Sequence, residues 1–265
     1  MPAAFPPLPT SLQQCSTADW PAVLAAEPRQ AALWLRAAAD LGHSEAQAVL
    51  GQWLLDGRGM APHPTQALEC FIKAARLGHP MGMNMAGRCC EMGWGTRQNF
   101  ETAAHWYRQA AHKGLDAGMY NFANLLAAGK GLAQDHANAL AWYRKAADLG
   151  YAKAMTKIGK YYEDGLLVEK DLDAAFFCYR EGAEGGDFRG QFCYAGMLAA
   201  RGNTAEALVW LQKVPRTATP AYLALVGQSL RDSPHPEFRQ MGARMLPTNK
   251  PEPKGSRFVV NPQHP

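Results

Sequence analysis

The chain has 265 residues, of which 48% are hydrophobic and 19% charged, and this composition is that of a folded protein rather than a disordered one. The chain has 27 lysines and arginines against 23 acidic residues, so its net charge is only +4, and the basic residues are scattered. Both features argue against a nucleic-acid or anionic-membrane surface. No stretch has the length of a transmembrane helix without charges, and the first residues lack the basic and apolar regions of a secretory signal. We therefore expect a cytoplasmic protein that binds neither nucleic acid nor membrane.

Residues 1–28 form a proline-rich N-terminal segment, with prolines at positions 2, 6, 7 and 9. Such a segment is expected to be extended or loosely held, with room for one short helix. The residues that follow, 29–43, have the pattern of a single helix and correspond to half of the repeat described next.

A period of 36 residues governs the middle of the chain. Two series of glycines and one series of large residues recur at this spacing. The series are Gly42, Gly78, Gly114, Gly150 and Gly186; Gly57, Gly93, Gly129 and Gly165; and Leu35, Phe71, Tyr107, Tyr143 and Tyr179. A fixed period between 20 and 50 residues is typical of repeat proteins. Four full repeats are predicted at 44–187, after the half repeat at 29–43.

Each repeat is predicted to contain two helices, because a glycine just past the last turn can adopt the left-handed conformation that ends a helix. In the second repeat the helices are predicted at Pro80–Met92 and Phe100–Lys113, with a turn at 95–99. One position of the repeat supplies side chains that can cap the start of the second helix. These side chains are Asn99, Asp135, Asp171 and, as a poorer cap, His63.

The C-terminal part departs from the period. Ala207 follows Ala175 by 32 rather than 36 residues, so a shortened fifth repeat is predicted at 188–215. Pro220–Arg231 and Pro236–Met245 are predicted to be capping helices within residues 216–246, and residues 247–265 form a proline-rich tail. The predicted fold class is therefore all-α, an α/α solenoid of 36-residue helix-turn-helix repeats.

Two segments, Ala67–Gly78 and Ala139–Gly150, closely resemble the second helix of the Sel-one-like repeat (SLR) family, a branch of the tetratricopeptide (TPR) repeat superfamily. The first-helix signature of that family is similar to Leu50-Gly51 and Ile158-Gly159, and the resemblance covers residues 30–213. It implies a right-handed superhelix that serves as an adaptor or scaffold for protein complexes, often in bacteria. Some relatives with one disulfide per repeat are suggested to bind cell-wall compounds, but the regular cysteine pairs are missing here.

By analogy with tetratricopeptide geometry, the first helices are expected to line a concave groove. Asparagine is a poor helix former, so Asn84 and Asn124 need a reason, and with Arg88 and Lys160 they suggest a clamp for a carboxylate or a peptide backbone. Tyr120 is expected to form an aromatic wall, and a solvated face without ligand is the alternative. The predicted groove residues are Asn84, Arg88, Tyr120, Asn124, Lys153, Lys160, Arg189 and Phe192.

No HExxH, GxSxG, Walker or dinucleotide signature is present in the sequence, and the six cysteines follow no CxxC pattern. We therefore expect reduced thiols, surface histidines at His105 and His112, and no catalytic residue, metal or cofactor. The predicted function is a non-catalytic adaptor that binds a protein or peptide as a monomer or weak dimer. Alternatives are an accessory or regulatory enzyme subunit, a small-molecule or anion-binding protein, and self-association through Ser256–Val260 of the tail.

Overall fold

The computed structural model describes residues 27–246, and this part of the chain is all-α: thirteen α-helices, one 3-10 helix and no strand. Residues 1–26 of the N-terminal segment predicted at 1–28 and the whole proline-rich tail at 247–265 lie outside the described residues. None of the described helices is both long enough and apolar enough to cross a lipid bilayer. The predicted fold class, an α/α solenoid, is confirmed by the stacked helix pairs described below.

The described residues form two compact units, which divide after Gly190. The helices of the first unit are α1 (Pro28–Asp40), α2 (Ser44–Asp56), α3 (Pro64–Arg76), α4 (Pro80–Met92), α5 (Phe100–His112), α6 (Asp116–Ala128), α7 (His136–Asp148), α8 (Ala152–Asp164) and α9 (Leu172–Glu184). The remaining helices are α10 (Phe188–Ala200), which continues past residue 190, and α11 (Thr204–Leu211), α12 (Pro220–Arg231) and α13 (Pro236–Met245); a 3-10 helix spans Val214–Arg216.

The predicted helix bounds in the second repeat and at the C-terminus are confirmed, with one difference. Helix α5 ends at His112 rather than at Lys113, because Lys113 caps the helix with its backbone N–H on the carbonyl of Gln109. The glycine positions end the helices as predicted: Gly93 caps α4 with φ of 74°, and Gly114 follows α5 with φ of 83°.

The caps at the starts of the second helices follow the predicted ranking. Side-chain oxygens of Asn99, Asp135 and Asp171 accept hydrogen bonds of 2.8–2.9 Å from the backbone N–H three residues later. His63 accepts the equivalent bond through Nδ1 at 3.3 Å, which is longer and therefore weaker. The same backbone bond lowers the pKa of Asp135 below its usual value, since it favours the ionised carboxylate.

The core of the first unit is built from the periodic large residues and alanines. The rings of Phe71, Tyr107, Tyr143 and Tyr179 are at most 1% exposed. The alanines beside these rings have small side chains, so neighbouring helices can approach closely. The indole rings of Trp106 and Trp142 are only half-buried and pack against this core.

The helix pairs stack so that first helices also meet first helices. Each helix packs against its sequence neighbours from α1 to α9, and in addition α2 contacts α4, and α4 contacts α6. The first helices α2, α4 and α6 therefore form a continuous layer. In the second unit, α12 packs against α13, and α11 contacts α13.

The loop between α8 and α9 contains a strained residue. Leu167 has φ of 62° and is 57% exposed. In the other three full repeats this position is Gly59, Gly95 or Gly131, each with positive φ. A left-handed backbone places the Cβ of an L-residue too close to a carbonyl oxygen. The fourth repeat therefore carries a conformational cost that its neighbours lack.

Replacement of Leu167 by glycine is expected to stabilise the protein by about 1 kcal/mol, because glycine adopts positive φ without this cost and little buried apolar surface is lost. The measurement is the midpoint of urea unfolding by circular dichroism. Leu166→Gly is the matched control in the same loop, where φ is not positive and a loss of stability is expected. Equal effects of the two substitutions would contradict the assignment of strain to Leu167.

Candidate functional site

The predicted clamp residues on α4 differ in their surroundings. Asn84 is 4% exposed, and its Oδ1 accepts a hydrogen bond of 2.9 Å from Nδ2 of Asn121 on α6. Arg88, one turn later, is exposed, with its guanidinium 5.3 Å from the ring centroid of Trp94. The amide oxygen of Asn84 thus joins two first helices, and Arg88 is the cation that faces solvent.

Three tyrosines and an asparagine meet around α6, and we call them the Tyr120 cluster: Tyr120, Asn124, Tyr143 and Tyr151. The ring centroid of Tyr120 lies 5.8 Å from that of Tyr143 and 5.2 Å from that of Tyr151. The Oδ1 of Asn124 accepts a hydrogen bond of 2.7 Å from the hydroxyl of Tyr143. Burial raises the pKa of Tyr120 and raises that of Tyr151 to about 12, so both hydroxyls are neutral donors at physiological pH.

A comparison of the repeats gives a structural reason for the asparagine at position 124. The buried tyrosine of the second helix normally donates to an acidic residue 16 positions earlier: Tyr107 to Glu91 at 2.6 Å and Tyr179 to Glu163 at 2.8 Å. In the third repeat the residue at that position is Ala127, which has no acceptor, and Tyr143 donates instead to Asn124.

Charged groups surround the Tyr120 cluster. Lys157 on α8 is partly buried, and burial lowers the pKa of its ammonium; Arg189 lowers it further, whereas Asp187 opposes the shift. Asp187 is 3% exposed, and its Oδ2 accepts a hydrogen bond of 3.2 Å from the backbone N–H of Gly190. Its other oxygen has no hydrogen-bond partner among the described residues. Asp187 and Arg189 also act on the pKa of Tyr120, so these charges lie near the cluster.

The other predicted groove residues are not gathered in one place. Lys153 is exposed on the first turn of α8, and Lys160 forms ion pairs with Glu163 at 3.0 Å and Asp164 at 2.9 Å on its own helix. Exposed pairs of this kind add little stability. Phe192 belongs to the second unit, where its ring lies 6.3 Å from that of Tyr222.

The sequence analysis missed Tyr151, Lys157 and Asp187. Tyr151 and Asp187 are 36 residues apart and stand just before a first helix, where no functional residue was predicted. Their shared position in the repeat was the available signal. We define the first-helix face as the surface of α4, α6 and α8 that carries Arg88, Tyr120 and Lys157, together with Tyr151 just before α8.

The profile of the Sel1 repeat matches residues 24–43, 44–79, 80–115, 116–151 and 152–187. The chain belongs to the Sel1 repeat family. Sel1 repeats are a TPR-like family, so the resemblance stated from the sequence is confirmed. None of the curated proteins compared with this Sel1 repeat protein matches it.

Two solved structures show the same fold. A Sel1 repeat protein from Oxalobacter formigenes has a TM-score of 0.71 at 22% identity, over 86% of this chain and 96% of that one. A protective antigen of uropathogenic Escherichia coli strains, which displays an SLR fold, has a TM-score of 0.62 at 26% identity, over 82% of this chain. The present chain covers only 48% of that antigen, about half its length.

Within residues 27–246 no three His, Cys, Asp or Glu side chains are grouped as metal ligands would be. Cys70, Cys89, Cys90 and Cys178 of this Sel1 repeat protein are free thiols. Burial raises the pKa of Cys89 to about 12. The rings of His105 and His112 lie edge-on against Trp106 and Trp142.

Proposed function

We propose that the protein is a non-catalytic adaptor or scaffold that binds a partner peptide or protein on its first-helix face. Sel1 repeat proteins generally mediate protein–protein interactions. The observation that carries the proposal is the Tyr120 cluster, in which the rings of Tyr120 and Tyr151 lie 5.2 Å apart, the charge of Arg88 acts on the pKa of Tyr151, and the charge of Arg189 acts on that of Tyr120. Aromatic residues and arginine are the residues that dominate binding energy in protein interfaces.

The charges around the cluster favour an acidic partner segment. Positive side chains near the cluster are Arg88, Lys157 and Arg189, whereas the carboxylates that act on it belong to Asp116 and Asp187. The Oδ1 atoms of Asn84 and Asn124 are engaged within the protein, so cations rather than these amides supply the attraction. We infer that the segment carries a carboxylate, from an acidic side chain or a C-terminus.

The test exchanges charges on one helix layer at a time. Arg88→Glu with Lys153→Glu alters the first-helix face, and Arg108→Glu with Arg144→Glu makes the same change in net charge at exposed positions of the second helices. Each protein, with its fold verified by circular dichroism, is used for affinity purification from the native cell extract. The partner is identified by mass spectrometry, and its Kd is then measured for all three proteins.

We expect the first-helix variant to bind the partner at least about tenfold more weakly, while the second-helix variant binds like the wild type. Loss of binding only in the second-helix variant would refute the proposed face. If all three proteins capture the same enzyme equally, the chain is an accessory subunit that docks through another surface. If none captures a protein, binding of a small anion replaces the adaptor proposal.

A further inference from the structure

Two exposed methionines lie on α4, in one stripe with Arg88 of the first-helix face. Among the methionines within residues 27–246, only Met81 and Met92 are exposed, at 43% and 51%, whereas Met83 and Met85 on the same helix are buried. Met81 precedes Arg88 by seven residues, and Met92 follows it by four. At about 100° per residue, both fall within about 40° of Arg88 around the helix axis, so the three side chains share one face.

The guanidinium of Arg88 has weak partners. Its Nη1 donates to Sδ of Met85 at 3.7 Å, and the guanidinium lies 5.3 Å from the ring centroid of Trp94. No carboxylate within residues 27–246 forms an ion pair with it. Because a thioether sulfur is only a weak acceptor, this cation has donors available for a stronger acceptor placed beside it.

Oxidation of Met92 creates such an acceptor. The sulfur of a methionine takes one oxygen atom from hydrogen peroxide: the O–O bond breaks, an S–O bond forms, and water is released. The sulfur loses two electrons and the peroxide gains them. The product is a polar sulfoxide whose oxygen accepts hydrogen bonds. Side chains four residues apart on a helix are neighbours, and each leans toward the N-terminus, so the side chain of Met92 leans toward Arg88.

We propose that Met92 is an oxidation site and that its sulfoxide accepts a hydrogen bond from the guanidinium of Arg88. Oxidation thus engages within α4 a cation that otherwise faces solvent, and enzymatic reduction of the sulfoxide releases it. Met81 is oxidised as well but does not hold Arg88, because it lies about 10 Å away along the helix and its side chain leans away from Arg88. The consequence for binding rests on the proposed function: the oxidised protein attracts an acidic partner segment less strongly.

The experiment treats the full chain with hydrogen peroxide and uses two measurements that need no partner. Peptide mapping by mass spectrometry gives the oxidation rate of each methionine. Phenylglyoxal, which modifies free guanidinium groups, is then added, and the rate at each arginine is mapped in the same way. We expect Met81 and Met92 to be oxidised at least about tenfold faster than the buried Met83. After oxidation, Arg88 should react about fivefold more slowly, whereas the exposed Arg108 should react at an unchanged rate.

Three variants separate the role of Met92 from that of Met81. Met92→Leu has no sulfur at this position, so its Arg88 should react at the same rate before and after peroxide. Met81→Leu is the matched control, in which peroxide should slow Arg88 as in the wild type. Met92→Gln supplies an amide oxygen at the same place and should slow Arg88 without peroxide. Leucine and glutamine favour the helix as methionine does, and circular dichroism verifies each fold.

Two results would overturn the proposal. Oxidation of Met92 no faster than that of Met83 would show that Met92 is not an oxidation site. An unchanged rate at Arg88 in the oxidised wild type, or equal slowing in oxidised Met92→Leu, would show that the sulfoxide does not hold the guanidinium. The proposed function is tested separately with the purified partner: if Arg88 is slowed but the Kd is unchanged, the oxidation site is supported and Arg88 is not the cation that attracts the partner.

Discussion

A Tyr107→Ala variant is expected to lose about 3–5 kcal/mol of the free energy of unfolding, since it removes a fully buried aromatic ring and leaves a cavity between α4, α5 and the next repeat. A Tyr107→Phe variant keeps the ring and loses only the hydrogen bond to Glu91, at a cost of about 1 kcal/mol. The measurement is urea unfolding by circular dichroism, with hydrogen exchange of the α5 amides to locate the loss.

The first repeat supplies a matched design for this pair. There the equivalent residues are Phe71 and Leu55, an apolar pair with neither donor nor acceptor. The double variant Tyr107→Phe with Glu91→Leu reproduces that pair and is expected to recover most of the stability that Tyr107→Phe alone loses. If the free-energy changes of the single variants Tyr107→Phe and Glu91→Leu simply add up in the double variant, Tyr107 and Glu91 are not coupled, contrary to the 2.6 Å hydrogen bond between them.

The helix bounds could be predicted because their signals are local and are repeated. Gly93 ends α4 and Asn99 begins α5 through bonds to residues a few positions away, so each signal can be recognised in the sequence. The period then carries the same assignment to every repeat. The one-residue difference at Lys113 concerns a capping residue, whose conformation lies at the limit of the helical region.

The candidate site was harder to predict because its contacts join residues of different helices. The unusual Asn124 was noticed, but its bond to Tyr143 spans 19 residues and exists only because Ala127 cannot accept. Asn84 likewise bonds to Asn121, 37 residues away. A mid-helix asparagine signals that its amide is used, but it does not say whether a ligand or a neighbouring helix uses it.

The position of Lys157 illustrates a second limit. It directly follows Thr156, and a shift of one residue rotates a helical side chain by about 100°, as the 3.6-residue turn requires. Thr156 is buried against Gly182 and Gly190, whereas Lys157 is the side chain that interacts with Asp187 and Arg189. Assignment of faces by analogy therefore named Lys153 and Lys160 on α8 and left out Lys157, whose pKa is affected by the charges of Asp187 and Arg189.

The contact between α5 and α6 sets the position of the Tyr120 cluster, and Gly118 lies at its closest point. A Cβ on Gly118 would be 2.7 Å from Cβ of Ala110 and 3.0 Å from the backbone nitrogen of Ala111. A Gly118→Leu substitution must therefore push the two helices apart, and we expect it to cost about 3 kcal/mol of the free energy of unfolding. Tyr120, two residues later on α6, would move away from Tyr151, so partner binding should weaken as well.

Two milder variants separate packing from backbone conformation. Gly118→Ala should cost about 1 kcal/mol, since the equivalent positions of other repeats hold the fully buried Ala46 and Ala154 after a small adjustment of the helices. Gly114→Ala meets no atom within 4 Å but has φ of 83°, so its similar cost of about 1 kcal/mol comes from conformation alone and should leave partner binding unchanged. If Gly118→Leu unfolds at the same urea concentration as the wild type, Gly118 does not set the distance between α5 and α6. The Tyr120 cluster must then be held in place by other contacts.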